Sequence, residues 1–394
     1  MSTTPVQNPT MNFFDRLYTG EGGVDFISRS RLWYWIAAAL VALSVVAVGV
    51  RGFDMSIDFE GGTKMSMPAA DLSTEEVAQT FEEATGVAPE LTQVVGSGSS
   101  TTLEISSELL GEDQIQRARM AIFEAYQPKD ATGTPSPDAV GESTVSESWG
   151  STITKRMIVS MIVFLVLAFV YIAVRLKREM AAAAMIALLV DAVVIAGIYA
   201  LFGFEVSPAA IIGLLTVLSF SIYDTVIVFD KVRENTAGIM GSRTQTYGEA
   251  ANAAVNQTVM RSISTSVISA LPIVALMVIA VWKLGVGDLK DLALIQLIGV
   301  VEGVFSSIFL ATPILVSIAN RTTQVRRHNE EVARYREGRS GEVAAVAATP
   351  VGAGPGDSEE PVARGARVVR SPHAEAGEAG EDSRGRSATW RPQA

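Results

Sequence analysis

Apolar positions in this chain gather into six long runs, at 32–50, 157–174, 181–204, 209–229, 263–282 and 292–318. A helix needs about 20 residues to cross the hydrocarbon core of a bilayer, and each run meets that length. The pattern therefore predicts six transmembrane helices, at 32–50, 153–174, 181–204, 209–230, 262–283 and 291–318. A single-helix anchor is excluded. The first run is longer than the core of a secretory signal, and no small-x-small cleavage pattern follows Val50. It is read as a retained span, which puts both chain ends on one side.

The period changes between the first and second runs. Residues 51–152 have the length of one small domain. Strands are expected at 63–67, 91–95, 101–105 and 140–146, and helices at 73–85 and 112–126. Ser73 and Glu76 have capping-box spacing at the start of the first helix. Ile115, Ala118, Met120 and Ile122 are the expected inner positions of the second. The glycine- and serine-rich stretch at 96–100 predicts a hairpin turn. The order β-α-β-β-α-β is the ferredoxin-like, or split βαβ, arrangement. Gly61-Gly62 is read as a tight turn at the membrane surface. The fold class is thus an α-helical polytopic membrane protein with one extracytoplasmic α+β domain. After 318 the chain turns polar, and 320–394 is expected to be a disordered cytoplasmic tail.

Charge fixes the expected orientation. Lys and Arg collect before the first run (Arg29, Arg31), between the second and third (Arg175, Lys177, Arg178), and in the 231–261 loop (Lys231, Arg233, Arg243, Arg261). A fourth group follows the sixth run (Arg321, Arg326, Arg327). All four lie on one side if residues 1–31 and the tail are cytoplasmic. Lys155 and Arg156 are the weak dissenters. Residues 51–152 hold 18 acidic and 5 basic side chains, so the −11 of the whole chain belongs to this block. The expected location is the cytoplasmic membrane, multi-pass. The basic stretch after the sixth run is read as an ordinary positive-inside flank, over contact with anionic lipid or ribosomal RNA; membrane lipids are an expected partner, and no nucleic acid is.

The chain has no Cys, which excludes disulfides and thiolate metal sites. Its two His lie in the tail, so no His-ligated metal centre is expected in the core. The α+β segment holds no nucleophile–His pair and no phosphate loop. Neither an enzymatic activity nor a cofactor is expected.

The chemistry left is inside the membrane. Asp224 sits in the fourth run, where a carboxylate costs roughly 2.5 to 3.5 kcal/mol at the greatest depth. Ser221, Asp224 and Thr225 share one helix face. On the fifth run Arg261, Thr265 and Ser269 recur every fourth residue, beside Ser262 and Ser266. The two runs are antiparallel, so Asp224 and Arg261 are expected at similar depth. Burial raises a carboxyl pKa and a nearby cation lowers it, so an arginine that approaches and withdraws can drive proton uptake and release. Two readings stay open on residue types alone: a proton relay and a static ion pair. Asp191, near the middle of the third run, joins the relay or braces the bundle, with bracing favoured. Asp230 is read as a solvated interfacial group paired with Lys231 or Arg233. Glu302 has no assignment. Pro272 and Pro313 are expected to kink their spans.

Several stretches resemble one family. SIYDTVIVFDKVREN (221–235) and NQTVMRSISTS (256–266) resemble the fourth- and fifth-span signatures of the SecF family of the Sec protein-export machinery. IDFEGGT (57–63), DAVVIAG (191–197) and GVFSSIFLATPIL (303–315) fit it in the same order. The resemblance implies a six-helix half of an RND-like fold, pairing with a SecD-like subunit and association with the SecYEG channel. It further implies a proton-motive-force-driven role in completing preprotein translocation, with protons as the coupling ion and Asp224 and Arg261 in the proton path. Asp191, Ser221, Thr225 and Thr265 are supporting candidates. Tyr223, Val190 and Glu302 depart from the family pattern. The competing functions are half of an RND-type lipid or drug exporter and a non-transducing assembly factor.

Overall fold

The computed structural model describes residues 24–69, 72–96, 101–130, 132–279 and 287–347, with side chains to 338. Most of the N-terminal segment, the turn at 97–100, the end of the fifth run and the tail beyond 347 lie outside the described residues.

Among the described residues, six helices are long and apolar enough to cross a membrane. They are α1 (Ser30–Arg51), α5 (Glu147–Arg175), α6 (Arg178–Phe202), α7 (Pro208–Asn235), α8 (Tyr247–Leu276) and the sixth span. That last span comprises α9 (Gly287–Phe305), a π-helical segment Ser306–Ala311 and α10 (Thr312–Ala319). Pro313 has no N–H to close an α-turn, and the turn before it is π-helical, while Pro272 lies inside α8.

Glycines let the spans approach closely. A Cβ at Gly299 of α9 would lie 2.0 Å from Val217 of α7, and one at Gly213 would lie 2.4 Å from Ile295. Gly299 and Gly303 have small-xxx-small spacing, which allows two helix backbones near-contact. The main apolar core lies among α5, α6, α7, α8 and α10, around Ile172, Leu188, Phe229, Val255 and Leu315.

Two boundaries differ from expectation. The 231–261 loop is mostly helix, because α7 runs to Asn235 and α8 starts at Tyr247. A capping box of Thr246 and Glu249 starts α8 there, and Ala250, Ala251 and Ala254 bury its first turns. The tail does not begin as coil, since α11 spans Thr323–Ala347. Arg327–Glu331 at 3.1 Å supports it at i,i+4, and Val325, His328 and Val332 are buried.

The α+β domain follows a short strand β1 (Asp54–Met55) and a one-turn helix α2 (Ile57–Glu60). Its elements are β2 (Gly62–Pro68), α3 (Thr74–Thr85), β3 (Leu91–Val95), β4 (Thr102–Ser107), α4 (Glu112–Tyr126) and β5 (Gly141–Val145). The sheet is antiparallel with spatial order β3-β4-β2-β5. This is the expected split βαβ element order. Val77, Phe81, Leu103, Ile115, Ala118 and Ile122 fill its core. Met120 does not join them and is 45% exposed. Ser73 precedes α3 but makes no side-chain cap, so the expected capping box is absent.

Gly61-Gly62 joins this domain to the bundle. Gly61 has φ +86°, and a Cβ at Gly62 would lie 2.5 Å from the Ser107 carbonyl. Only glycine fits there. A second joint is polar. β1 pairs in parallel with β6 (Glu205–Val206), which links α6 to α7. Lys64 lies 3.4 Å from Glu205, and the Gln93 amide donates to Glu104 (3.2 Å) and Glu205 (3.1 Å). Lys290 of α9 donates to the Gln93 carbonyl oxygen at 2.6 Å. Burial pushes the Glu104 carboxyl above its ordinary range, and Lys64 offsets only part of that. Burial pulls Lys64 down, but Glu205, Glu104 and Asp288 outweigh it and hold the amine above its usual value.

Candidate proton site in the helix bundle

Asp224 is 8% exposed, deep in an apolar shell. Helix α7 holds it on the face it shares with Ser221 and Thr225, which are also buried. Two hydroxyls from other spans reach it. Ser262 of α8 donates to Oδ1 at 2.7 Å, and Ser307 of the π segment donates to Oδ2. The widened turn before Pro313 therefore carries one of the carboxylate's two donors, and π turns often sit at functional positions. A small void lined by Ser221, Asp224, Ser266 and Gly303 lies beside it.

Arg261 does not complete this site. Its side chain is exposed and makes no hydrogen bond or ion pair among the described residues. It lines an open cleft at the end of the bundle away from the α+β domain, with Asp230, Lys231, Arg233, Glu234 and Thr258. Thr265 is spent on its own helix, donating to the Arg261 carbonyl at 2.8 Å, and Ser269 does the same to Thr265. The stripe of α8 that meets Asp224 is thus Ser262 and Ser266, not Arg261, Thr265 and Ser269. Adjacent helix positions are about 100° apart, so Ser262 can face inward while Arg261 faces the cleft.

Asp191 of α6 is fully buried and accepts a hydrogen bond from Ser221. It stands one helix turn of α7 from Asp224, with Ser221 between them. Asp230 behaves as an interfacial group: Arg233 lies 3.3 Å away, as expected, and Arg175 of α5 adds a contact at 2.5 Å. Lys231 pairs with Glu234 instead.

Of the two donors to Asp224, Ser262 stood only beside the expected stripe of α8, and Ser307 was not singled out by residue spacing. The available signal was the pair Ser306-Ser307 inside an otherwise apolar stretch, seven and six residues before Pro313. No group of three or more His, Cys, Asp or Glu able to hold a metal occurs among the described residues.

Residues 128–321 match the family described as "Protein export membrane protein SecD/SecF, C-terminal". The protein translocase subunit SecF of Mycobacterium tuberculosis is 48% identical over 349 residues, covering 89% of this chain and 79% of that one. The chain belongs to the SecF family of protein translocase subunits. SecF of Streptomyces coelicolor is 33% identical over 88% of this chain and 90% of its own length. The crystal structure of SecDF from Thermus thermophilus, a translocon-associated membrane protein, superposes with a TM-score of 0.65 at 28% identity. That match covers 77% of this chain but 39% of SecDF. This SecF-family chain therefore spans less than half of the SecDF polypeptide. With six spans and this family, it is a multi-pass protein of the cytoplasmic membrane with an accessory part in protein export.

Proposed function

We propose that this chain is the SecF half of a proton-motive-force-driven unit that works with a SecD-like subunit beside the SecYEG channel to complete preprotein translocation. The observation that carries the proton coupling is the hydroxyl cage of Asp224. A serine hydroxyl donates to a carboxylate and accepts from a carboxylic acid, so Ser262 and Ser307 fit either protonation state. A buried fixed cation at this position would suit the charged state alone. Arg261 stands next in sequence to Ser262, in a cleft open to water. Its approach to Asp224 favours proton release, and its withdrawal favours uptake. One charge moved through 100 mV is worth about 2.3 kcal/mol, enough to bias two packings of α8 against α7.

The SecD-like partner is supported by the SecDF likeness, in which this chain accounts for only part of a longer polypeptide. The proposed orientation places Arg175, Asp230, Arg233 and Arg261 on the cytoplasmic side and the acidic α+β domain outside. Preprotein export into sealed vesicles, with and without a proton gradient, tests the assignment. Asp224→Asn should retain membrane assembly and lose the gradient-dependent part of export. Wild-type export by that variant under a full gradient would overturn the reading.

A further inference from the structure

Glu302 is the one charged residue in the middle of the sixth span, and nothing above uses it. It lies on α9 in the wall of an apolar groove formed with α1 and α6, among Trp33, Leu40, Val190, Val301 and Phe305. On its other side it faces Asp191: its neighbour Gly303 packs on Ser221, whose hydroxyl donates to Asp191. Ser306, one turn further along the span, is buried beside them and lines the same groove as Glu302. Three oxygens in this cluster are buried and lack a well-formed hydrogen bond: Asp191 Oδ1, Glu302 Oε2 and Ser306 Oγ. Asp191 Oδ2 is already occupied by Ser221. A fully buried carboxylate oxygen with no donor is costly, at about 1–3 kcal/mol or more. The unmatched set consists of acceptors and one hydroxyl, and what it lacks is a proton.

Among the described residues, no cation on the surrounding helices supplies the missing charge. Helix α7 contributes Asp224 through Ser221, and its Tyr223 is 53% exposed. On α1, Arg31 and Arg51 lie at the two ends, and the Tyr34 hydroxyl is bonded to Ser317. On α5, Lys155, Arg156 and Arg175 flank the apolar stretch, and Tyr171 is 51% exposed. On α8, Arg261 is exposed, and on α9 Asp291 lies near the end that carries Lys290. Two carboxylates in contact in a low-dielectric site cannot both stay ionised without a cation.

We propose that Asp191 and Glu302 form a second proton-binding site, in which one proton bridges the two carboxyls and Ser306 and Ser221 line it. One carboxyl is then the O–H donor and the other the acceptor, and the pair carries one negative charge. The site connects to the first. Ser221 bonds Asp191, lines the same void as Asp224, and packs over Gly303, the neighbour of Glu302. The polar line Glu302–Asp191–Ser221–Asp224 crosses three spans through an apolar shell. Its use in transport rests on the proton-coupled reading above; its occupancy does not.

Infrared difference spectroscopy of the full chain in lipid nanodiscs, between neutral and alkaline buffer, reads the bridging proton without any export. Carbon-13 labelling of Asp or Glu carboxyls assigns the band. The wild type should show a protonated-carboxyl stretch that the label on the donor residue type moves, while the other label moves the partner's carboxylate band. Glu302→Gln and Asp191→Asn should each abolish it, because the new amide donates to the remaining carboxylate. The double variant should lose no more than either single one, and Asp224→Asn should retain the band. Glu302→Leu, which matches the apolar groove, is the second variant should Gln disturb folding. The proposal fails if the wild type has no such band, or if the band survives Glu302 substitution and vanishes in Asp224→Asn. Those outcomes leave the gradient-dependence of export untouched as a separate question.

Discussion

Ser262 donates to Asp224 across 2.7 Å, while its neighbour Arg261 stands exposed in a cleft. The buried carboxyl is therefore held by hydroxyls. Removing Ser262 or Ser307 leaves one carboxylate oxygen without its donor. Ser262→Ala and Ser307→Ala should each destabilise the bundle by about 1–3 kcal/mol. In an Asp224→Asn background the same changes should cost less, since the charge-assisted part is gone. A double-mutant cycle on unfolding in detergent measures the difference. Equal costs in both backgrounds would show that the hydroxyls do not act through the carboxyl.

The contact between α7 and α9 depends on a missing side chain. A Cβ at Gly299 would lie 2.0 Å from Val217, and both residues are buried. Gly299→Ala should destabilise by about 1–3 kcal/mol through overpacking. Val217→Ala in the same chain should recover much of that loss, because it removes the clashing methyls. Thermal unfolding of the two single variants and the double one checks this. The expected sign of the coupling is stabilising.

Glu104 links the α+β sheet to the bundle through Gln93. Its folded pKa is raised by burial, so between the ordinary and the raised value the folded chain holds a proton that the unfolded chain gives up. Stability from this group is full below the ordinary carboxylate value and declines as pH rises through the raised one. Glu104→Gln cannot titrate and should flatten that decline. Melting curves from about pH 4 to pH 7 bracket the rise from an unperturbed glutamate. A wild-type slope identical to that of the variant would remove Glu104 from the joint's pH response.

Span number and domain order were legible because each rests on a local period. Runs of about 20 apolar residues mark spans wherever they fall. Leu91–Val95 and Glu112–Tyr126 were readable to the residue, the strand from its apolar-rich run beside a Gly/Ser turn and the helix from helical spacing. The helical extensions at Tyr247 and Thr323 were not: the first is rich in Ala, Asn and Gln rather than large apolar residues, and charged residues crowd the second. Within the site, Asp224 stood out as an isolated charge in an apolar run. Ser262 and Ser307 carry no such signal, since serine is common in membrane helices and bonds its own backbone as readily as a neighbour. Which serine reaches a carboxyl depends on helix rotation and on the π turn before Pro313. Both are set by packing between spans distant in sequence.

Arg261 separates a structural role from a moving one. An arginine locked in a buried ion pair is costly to replace, at about 3–5 kcal/mol, because its partner is left buried and unpaired. Here Arg261 has no ion pair among the described residues and is exposed. Arg261→Gln should therefore change unfolding stability by no more than about 0.5 kcal/mol, as surface substitutions do. The same variant should lose gradient-dependent export if Arg261 visits Asp224 during the cycle. Arg261→Lys keeps the charge but not the planar fork of donors, so it should restore export only in part. A large stability loss in Arg261→Gln would instead indicate that the resting protein in a bilayer holds the Asp224–Arg261 pair closed.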